Sequence, residues 1–579
     1  MTAEKVSARR RFVACLAGLP VSAALLQGEL WAQAAAQQPP RITKDMLVQA
    51  AAVMGQSFSD AEFDEMVARV NGNLAVIASL HAQPFDNAVA PAFHFNPVLP
   101  GMAIDRAARP LRPSRPRAPV VGGRRAGSFD PGEIAYLPVT ALAELIRTRR
   151  LTSVELTDIY LDRLKRLGPR LQCVVTLTEE RARRQAKQAD TEIAAGRYRG
   201  PLHGIPWGAK DLIAAKGYPT TWGAAPFKDR VIDLDATVVA RLDAAGAVLV
   251  AKLATGELAL DDVWFGGQTK NPWDLSMGSQ GSSAGPGSAT AAGLVGFSVG
   301  SETWGSIVEP SGICGVSGLR PTFGRVSRHG VMALSWTLDK LGPMCRSAED
   351  CALVLAAIQG PDEHDLSVQA VPFNWDAGVD VRSLRVGYLK AAFENTRQTA
   401  QTDANDARAL ETLRRLGVTP IEVRLPELPP VPTIAILFAE SAVALRNPAR
   451  TSPASLVRQD RVHLENSWRF LSAADYVDAQ RARAVLMREM ARVMTDVDLY
   501  VTPFDYADYT PNPVATLNTS VTNLTGQPCV VVPHGFNEKG QPTSLTFVGR
   551  VFGEARMLAA AHAFQQATDW HLQHPKLPS

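Results

Sequence analysis

The sequence predicts an α/β fold with a helix-covered sheet over residues 133–579. Two observations support this prediction. Amphipathic helical patterns alternate with short apolar runs, and the clearest run, residues 247–253 (AVLVAKL), is typical of a strand buried on both faces. The composition, 46% apolar and 20% charged over 579 residues, is that of an ordinary globular protein.

The first 36 residues have the organisation of an export signal. Arg9 and Arg10 precede Phe12, a mildly apolar run continues to residue 26, and small residues fill 32–37. This order is typical of secretory signals, and the paired arginines resemble the twin-arginine type. We therefore expect a periplasmic or secreted protein; the alternative is a cytosolic protein with a basic tail. No later run reaches about 18 apolar residues, so no membrane span is predicted.

Two further segments precede the main domain. Residues 37–103 are predicted to form a helical extension, because Ser59 can cap a helix whose apolar residues recur at helical spacing. Residues 104–132 contain seven arginines and five prolines with little apolar content. The prolines predict an extended linker there, although a basic patch for an anionic partner is an alternative.

Several elements of the main domain have start and stop signals. Residues 152–155 (TSVE) form a capping box for a helix that we expect to end at residues 168–169 (GP). Asp235 is predicted to begin another helix and Gly246 to end it. A further strand is predicted at residues 384–389, and no internal domain boundary is visible between 133 and 571.

Charge and cysteine content argue against several classes of function. The net charge is only +3, and no basic stripe alternates with aromatic residues, so no nucleic-acid partner is expected. The six cysteines form neither a C-x-x-C motif nor a cluster with histidine, so no metal is expected. Cys345 and Cys351 could pair if oxidised, but buried free thiols are the simpler interpretation.

Residues 278–293 (GSQGSSAGPGSATAAG) allow three interpretations: a flexible linker, a phosphate-binding loop, or the G-x-S-x-G elbow of esterases, which would make Ser283 the nucleophile. The sequence contains no G-x-x-x-x-G-K-[ST] motif, which argues against the phosphate loop. We predict no strand leading into residue 278, and an elbow requires one. The small residues 287–293 predict a helix that packs closely against its neighbours.

A wider set of motifs resembles the amidase signature family over residues 133–571. The motifs occur in the family's order, near its spacing. They are G-I-P-x-G-x-K-D around Lys210, N-P-W-D at 271–274, G-S-S at 281–283, G-S-x-T-x-G-S-I at 300–307, C-G-V-x-G-L-R-P-T-x-G-R-V-S at 314–327, L-D-x-x-G-P at 338–343, and the segment 523–550. The resemblance implies the family's α/β fold, a large twisted mixed sheet with helices on both faces.

The resemblance also implies a catalytic set of Lys210, Ser282 and Ser306. Ser306 would be the nucleophile, and Ser282, which lies 24 residues earlier and after a cis peptide bond, would link it to Lys210. The residue types suit these roles. A serine hydroxyl needs a base, a buried lysine can be neutral enough to serve as one, and a hydroxyl between them can relay a proton.

By the same resemblance, main-chain N–H groups just before the nucleophile would stabilise the oxyanion. They map to Thr303, Trp304, Gly305 and Ser306. Ser283 is predicted to hydrogen-bond Lys210 and support it.

The chain departs from the family's usual pattern at several positions. Trp304 stands where many members have glycine, and its indole could line the acyl pocket. Residues 308–309 (Val-Glu) replace an arginine that commonly follows the nucleophile motif, and Gln280 replaces a glycine. Trp336 could be either a pocket wall or a core residue.

These expectations favour an exported enzyme that hydrolyses a small-molecule amide without a cofactor. Ester or carbamate hydrolysis on the same scaffold is one alternative. A second is a glutamyl-tRNA amidotransferase A-type subunit that uses glutamine, although the export signal argues against it. A third, a catalytically inactive periplasmic binding protein, is disfavoured by the intact set of Lys210, Ser282 and Ser306. The resemblance is also compatible with a homodimer.

Overall fold

The computed structural model describes residues 42–81, 95–115, 130–395, 399–426, 431–445, 455–458, 466–504 and 513–577. The predicted export signal lies outside these residues, as do the parts of the extension and linker at 37–41, 82–94 and 116–129. The fold is the predicted α/β fold with a large mixed central sheet.

The described strands are β1 Val174–Leu177, β2 Pro206–Lys210, β3 Val248–Leu253, β4 Val263–Trp264, β5 Gly267–Gln268, β6 Lys270–Asn271, β7 Asp274–Gly278, β8 Phe297–Glu302, β9 Ser317–Arg320, β10 Lys340–Cys345, β11 Val386–Leu389, β12 Ile421–Val423, β13 Leu499–Pro503, β14 Cys529–Phe536 and β15 Pro542–Gly549. Eleven of them form one sheet, in the order β1-β3-β2-β8-β10-β9-β14-β15-β13-β11-β12. The pairs β2–β3, β2–β8, β11–β12 and β11–β13 are parallel and the others antiparallel, so the sheet is mixed.

The described α-helices are α1 Lys44–Val53, α2 Asp60–His81, α3 Pro131–Ala135, α4 Val139–Arg147, α5 Ser153–Leu171, α6 Glu179–Ala194, α7 Thr237–Ala244, α8 Ala284–Ala291, α9 Val308–Cys314, α10 Ala348–Ile358, α11 Lys390–Phe393, α12 Ala400–Arg415, α13 Val431–Ala444, α14 Ala473–Val493, α15 Pro513–Thr525 and α16 Glu554–Thr568. Short 3-10 turns occur at Ala225–Phe227, Glu257–Ala259, Val381–Ser383, Trp468–Phe470 and Trp570–Leu572.

Both faces of the central sheet are buried in separate apolar clusters. Strand β14 shows this arrangement, because its alternate residues belong to different clusters. Val530 and Val532 belong to the cluster with α10 and α16, whereas Val531 belongs to the cluster with α13 and α14. Successive side chains of a strand point to opposite faces, so a strand between two helical layers must be apolar throughout. This requirement explains the uninterrupted apolar run of β3.

The segments before the main domain lie against its surface where they are described. Helix α2 begins after Ser59, which forms the expected capping interactions with Glu62, and it packs on α13 and α14. The N–H of Arg112 donates to the carbonyl of Trp375 at 2.9 Å, so this part of the arginine- and proline-rich segment is extended and attached to the main domain. The predicted segment boundaries themselves stay predictions.

Two predicted helix boundaries are wrong. Helix α5 begins with the predicted capping box but runs through Pro169 to Leu171, where Gln172 closes it in the left-handed conformation. Gly168 tolerates the following proline inside a helix because it has no Cβ to clash with the ring. Helix α7 begins at Thr237, because the carboxylate of Asp235 binds Arg181 and does not cap the helix.

The prediction that no strand leads into residue 278 is also wrong. Strand β7 ends at Gly278, but it pairs only with β6 in a separate two-stranded sheet and is not fully buried. The elbow of an esterase needs a strand of the central sheet, so this hairpin does not restore that interpretation. Helix α8, which follows, is buried at every position, and a Cβ added at Gly285 would lie 2.3 Å from the N of Ala254. The small residues therefore allow close packing, as predicted.

Candidate active site

The predicted site residues lie where two parallel strands end. Lys210 is the last residue of β2, and Ser301 and Glu302 are the last residues of its neighbour β8. Parallel neighbours bring their carboxyl ends to the same edge of a sheet, where sites of α/β proteins commonly form. The nucleophile loop, residues 303–307, continues from β8 into α9 at this edge.

The side chain of Lys210 is fully buried among hydroxyl groups. Its Nζ lies 2.8 Å from Oγ of Ser282, 3.0 Å from Oγ of Ser301 and 3.4 Å from the Ser301 carbonyl oxygen. Burial lowers the pKa of Lys210 well below its usual value, and the negative charges of Asp339 and Glu302 oppose this shift only in part. The lysine is therefore biased toward the neutral amine.

The serine segment 281–283 meets the end of β8. The Gly281–Ser282 peptide bond is cis, as the resemblance implies. The main-chain N–H of Ser283 donates to the carbonyl of Ser306 at 3.1 Å, which places the two serine segments side by side. Ser283 differs from expectation because its hydroxyl exchanges hydrogen bonds with the main chain of Ser301 rather than with Lys210. Among the described hydrogen bonds, its connection to the lysine is therefore indirect, through Ser301.

The nucleophile loop has the backbone features that an oxyanion site requires. Within the described part of the chain, the N–H groups of residues 303–306 make no hydrogen bonds to other main-chain groups, which the predicted oxyanion role requires. Gly305 has φ +94°, a backbone conformation that strains any residue with a Cβ, so this position favours glycine. Trp304 is not in the positive-φ region, which is why a tryptophan can replace the family's glycine there.

Ser306 is half-buried at the end of this loop. Its hydroxyl makes no hydrogen bond to any side chain or main-chain group that the structure describes, so its predicted link to Ser282 stays a prediction. The structure thus brings Lys210, Ser282 and the segment of Ser306 together, and it shows direct contact only for the first two.

Glu302 holds the far end of the nucleophile loop. Its buried carboxylate accepts the N–H groups of Ile307 and Val308 at 2.9 and 3.0 Å. On its other side it accepts from the guanidinium of Arg320 at 2.8 Å and from the amide of Asn523 at 3.0 Å. Although burial opposes ionisation, the positive charges of Arg320 and Lys340 lower the pKa of Glu302 to about 2. The carboxylate therefore has a cationic partner although the arginine common in the family at position 308 is absent.

A second carboxylate holds the near end of the same loop. Asp339, which immediately precedes β10, accepts the hydroxyl of Thr303 at 2.6 Å and the N–H groups of Leu334 and Ser335 at 2.8 and 3.0 Å. Burial raises the pKa of Asp339. The neighbouring Lys340 donates to Asn523 at 2.7 Å, and burial lowers its pKa to about 7.

The two tryptophans that the sequence left open have different surroundings. The indole N–H of Trp304 donates to the hydroxyl of Ser520 on α15 at 3.0 Å, and its ring packs against the apolar cluster on that face of the sheet. Trp336 is 47% exposed and lines a cavity of about 250 Å³ that also touches Ser301 and Thr303. Trp304 is not among the residues that line this cavity.

Sequence reasoning assigned no role to three residues that contact the site. Ser301, Glu302 and Asp339 all lie inside quoted motifs, at G-S-x-T-x-G-S-I and L-D-x-x-G-P. The register of β8 against β10 pairs Glu302 with Lys340 and so brings these segments together. In the sequence, only the position of these three residues within the quoted motifs could have indicated that they contact the site. The described residues contain no cluster of histidine, cysteine and carboxylate groups that could hold a metal ion.

Comparison with known proteins identifies the family. The family model described as Amidase matches residues 155–558. The chain belongs to the amidase family. It is 38% identical over 466 residues to a Mycobacterium tuberculosis protein named "Putative amidase AmiD", covering 77% of this chain and 97% of that protein. It is 35% identical to the A subunit of the glutamyl-tRNA(Gln) amidotransferase of Roseiflexus sp. (strain RS-1), covering 76% of this chain and 98% of the relative.

Solved structures give the same result for this amidase-family chain. The native peptide amidase from Stenotrophomonas maltophilia superposes with a TM-score of 0.67 at 29% identity, over 75% of this chain and 97% of that enzyme. The protein is therefore an enzyme that hydrolyses amide bonds. No described helix is both long and apolar enough to span a bilayer.

Proposed function

We propose that this amidase-family enzyme hydrolyses a small-molecule amide through an acyl-enzyme on Ser306, with Ser282 as proton relay and Lys210 as base. The observation that carries the proposal is the 2.8 Å contact between the buried Nζ of Lys210 and Oγ of Ser282. A neutral amine at this distance can accept the proton of Ser282 while Ser282 accepts that of Ser306.

In the first half-reaction, Oγ of Ser306 forms a bond to the amide carbonyl carbon. Its proton passes to Ser282, and the proton of Ser282 passes to Nζ of Lys210. The resulting oxyanion would accept hydrogen bonds from the N–H groups of the nucleophile loop, which the fold holds in place before substrate arrives. The carbon–nitrogen bond then breaks, and the amine leaves with a proton returned from Lys210 through Ser282.

In the second half-reaction, water attacks the ester of Ser306. The same relay removes the proton of the water and returns it to Oγ of Ser306 as the acid departs. Asp339 and Glu302 would stabilise the lysine during the moments when it carries the proton, because both contribute favourable charge to the ammonium. No cofactor enters either step.

The nucleophile assignment predicts that Ser306→Ala lowers amide hydrolysis by roughly five to six orders of magnitude. It also predicts that a fluorophosphonate probe, which labels activated serines, no longer reacts. Ser276→Ala is the matched control, because Ser276 is exposed and, among the described residues, hydrogen-bonds to Asp274 within its own turn. Unchanged labelling of Ser306→Ala would refute the role of Ser306.

The amidotransferase alternative rests on the relatives named as A subunits of glutamyl-tRNA(Gln) amidotransferases. In that case the same serine would attack the side-chain amide of glutamine and release ammonia for a second enzyme. Hydrolysis of esters or carbamates requires only a different leaving group on the same acyl-enzyme. Release of product from glutamine, an ester and a carbamate, measured beside a neutral amide, separates these possibilities.

We further propose that the enzyme is exported through a twin-arginine signal within residues 1–36, which places it in the periplasm or outside the cell. The support is the order of paired arginines, short apolar run and small residues in the sequence. A homodimer also stays a prediction from the family resemblance.

A further inference from the structure

A cavity of about 250 Å³ lies next to residues that adjoin the predicted catalytic set. It touches Thr303, whose N–H belongs to the predicted oxyanion site, and Ser301, whose hydroxyl lies 3.0 Å from Nζ of Lys210. A group bound in the cavity would therefore lie next to the amide that Ser306 attacks.

Nine of the sixteen residues that line this cavity are apolar. Leu212, Met332, Leu334 and Leu341 line its interior. At its solvent side are Trp336, which is 47% exposed, and Leu366, which is 89% exposed. Large apolar side chains exposed beside an apolar cavity are typical of a surface that binds an apolar ligand.

The charged side chains of the cavity already have partners. Nε and Nη2 of Arg328 donate to the Asp365 carboxylate at 2.8 and 3.1 Å, and Nη1 donates to the carbonyl of Trp336 at 2.6 Å. Asp339 accepts from Thr303 and from two main-chain N–H groups. An anionic substituent in this cavity would approach the carboxylates of Asp339 and Asp365, and it would form no ion pair with Arg328, which already binds Asp365. Desolvating an unpaired charge is costly.

The remaining ionisable residues of the cavity, His329 and His364, stack on each other with ring centroids 4.2 Å apart. The two imidazole rings thus form a stacked pair in the cavity wall. Because Arg328 and Asp365 already bind each other, the α-carboxylate and α-ammonium groups of a zwitterion such as glutamine would have to break this pair to be matched by charges among the described residues of the lining.

We propose that this cavity binds a neutral, predominantly apolar group of the substrate, such as an aryl or arylalkyl group, on the acyl or the amine side of the scissile amide. The inference rests on the proposed function, because it places that group beside Ser306. An engineered apolar cavity of about 150 Å³ binds benzene, so a volume near 250 Å³ has room for a ring with a short substituent.

The experiment compares kcat/KM for matched amides with the full chain. The panel contains 3-phenylpropanamide and acetanilide, which carry the apolar group on the acyl and amine sides, and acetamide as the minimal substrate. Succinamic acid and glutamine supply an anion and a zwitterion. We expect one of the two apolar amides to exceed succinamic acid and glutamine at least about 100-fold.

Ala333→Phe tests whether the cavity is responsible, because Ala333 lines it and a phenyl ring there would fill part of its volume. The preference for the apolar amide over acetamide should fall at least about tenfold, since loss of room for even a methylene group changes specificity by about 10–200-fold. Ala240→Phe is the control, because Ala240 is exposed on α7 and does not line the cavity, so the change should leave the preference unchanged.

A binding measurement separates this inference from the proposed function. Calorimetric titration of Ser306→Ala with each of the two apolar amides requires no catalysis. Binding that Ala333→Phe weakens supports the cavity even if no amide is hydrolysed, in which case the proposed function alone fails. Faster hydrolysis of glutamine or succinamic acid overturns the inference, and so does a preference or binding that Ala333→Phe leaves unchanged.

Discussion

At the scale of single residues, Lys210 is governed by two opposing influences. It is the last residue of a strand that is buried throughout, so its ammonium form loses most of its hydration. Asp339 and Glu302 favour the charged form, but burial outweighs them and the pKa is lowered. The three oxygens around Nζ can bond either protonation state, which suits a group that gains and loses a proton in each half-reaction.

This balance predicts the pH dependence of hydrolysis. The base is the neutral amine, which exists above its pKa, so kcat/KM should rise with pH and reach a plateau below the ordinary lysine value of 10.5, because the pKa is lowered. Lys210→Met should lower the rate by about 10²–10⁴-fold and abolish this rise. The pH–rate profiles of both proteins provide the measurement.

Lys187→Met is the matched control for that experiment, because Lys187 is exposed on α6 and should leave the profile intact. A wild-type profile that is flat, or that falls toward alkaline pH, would count against Lys210 as the base. A profile that Lys210→Met preserves would do the same.

Whether the contacts of a single residue could be predicted depends on whether a sequence motif or the tertiary fold determines them. The contact between Lys210 and Ser282 could be predicted because a fixed motif order carries both residues, whereas the catalytic roles of these residues and of Ser306 stay predictions. The contact of Ser301 with Lys210 could not be predicted, because it depends on the pairing of β2 with β8. The proximity of Trp304 to Ser306 left open whether its indole lines the acyl pocket, because the direction of the ring depends on Ser520, more than 200 positions away.

At the scale of elements, the nucleophile loop is held between two buried carboxylates. Asp339 bonds its first residue, Thr303, while Glu302 bonds the N–H groups of Ile307 at its end and of Val308, the first residue of α9. Glu302 belongs to β8 and Asp339 precedes β10, so the register of these two strands sets the separation of the two anchors. The loop is thereby fixed without using the N–H groups that the oxyanion would need.

This arrangement predicts that Glu302→Gln damages both stability and catalysis. An amide cannot accept hydrogen bonds from two main-chain N–H groups on one side and from Arg320 and Asn523 on the other, because one of its two groups is a donor. Breaking a buried ion pair from one side costs about 3–5 kcal/mol. We expect the free energy of unfolding, measured with a denaturant, to fall by about this amount. We also expect the fold-decrease in kcat to be larger than the fold-change in KM.

The pH dependence of that stability difference follows from the pKa of Glu302. A carboxyl whose pKa is about 2 in the folded state and 4.5 otherwise contributes stability that is present above 4.5 and is lost as pH falls toward 2. The difference in the free energy of unfolding between wild type and Glu302→Gln should therefore decrease as pH falls from 4.5 to about 2. Glu180→Gln, at an exposed ion pair on α6, should cost less than about 1 kcal/mol. Equal losses for the two variants would contradict the anchoring role.

At the scale of the whole molecule, one sheet of eleven strands unites segments that are far apart in the sequence. The alternation of helices and apolar strands predicted the class of fold, but not the order of strands, because β9 and β14 pair across about two hundred residues. Local patterns contain no information on such pairings. A helix in the N-terminal extension could likewise be predicted from the sequence, whereas its packing against α13 and α14 could not.

The proposed export in a folded state is compatible with the state of the cysteines. The five described cysteines, Cys173, Cys314, Cys345, Cys351 and Cys529, are buried free thiols. Burial raises the pKa of Cys173 and of Cys529 to about 12, which disfavours the reactive thiolate in an oxidising compartment. A chain that folds with reduced, buried thiols before it crosses the membrane is compatible with the twin-arginine route.

The export proposal predicts that changing both Arg9 and Arg10 to lysine retains the enzyme in the cytoplasm. A receptor that reads the arginine pair should not accept lysine, although the charge of the signal is unchanged. Fractionation of a bacterial host that has the twin-arginine system, with amide hydrolysis measured in each fraction, is the test. The same change at Arg124 and Arg125, a pair outside the signal, is the control and should leave periplasmic activity intact. Wild-type activity confined to the cytoplasm, or export that survives the change at Arg9 and Arg10, would refute the proposed route.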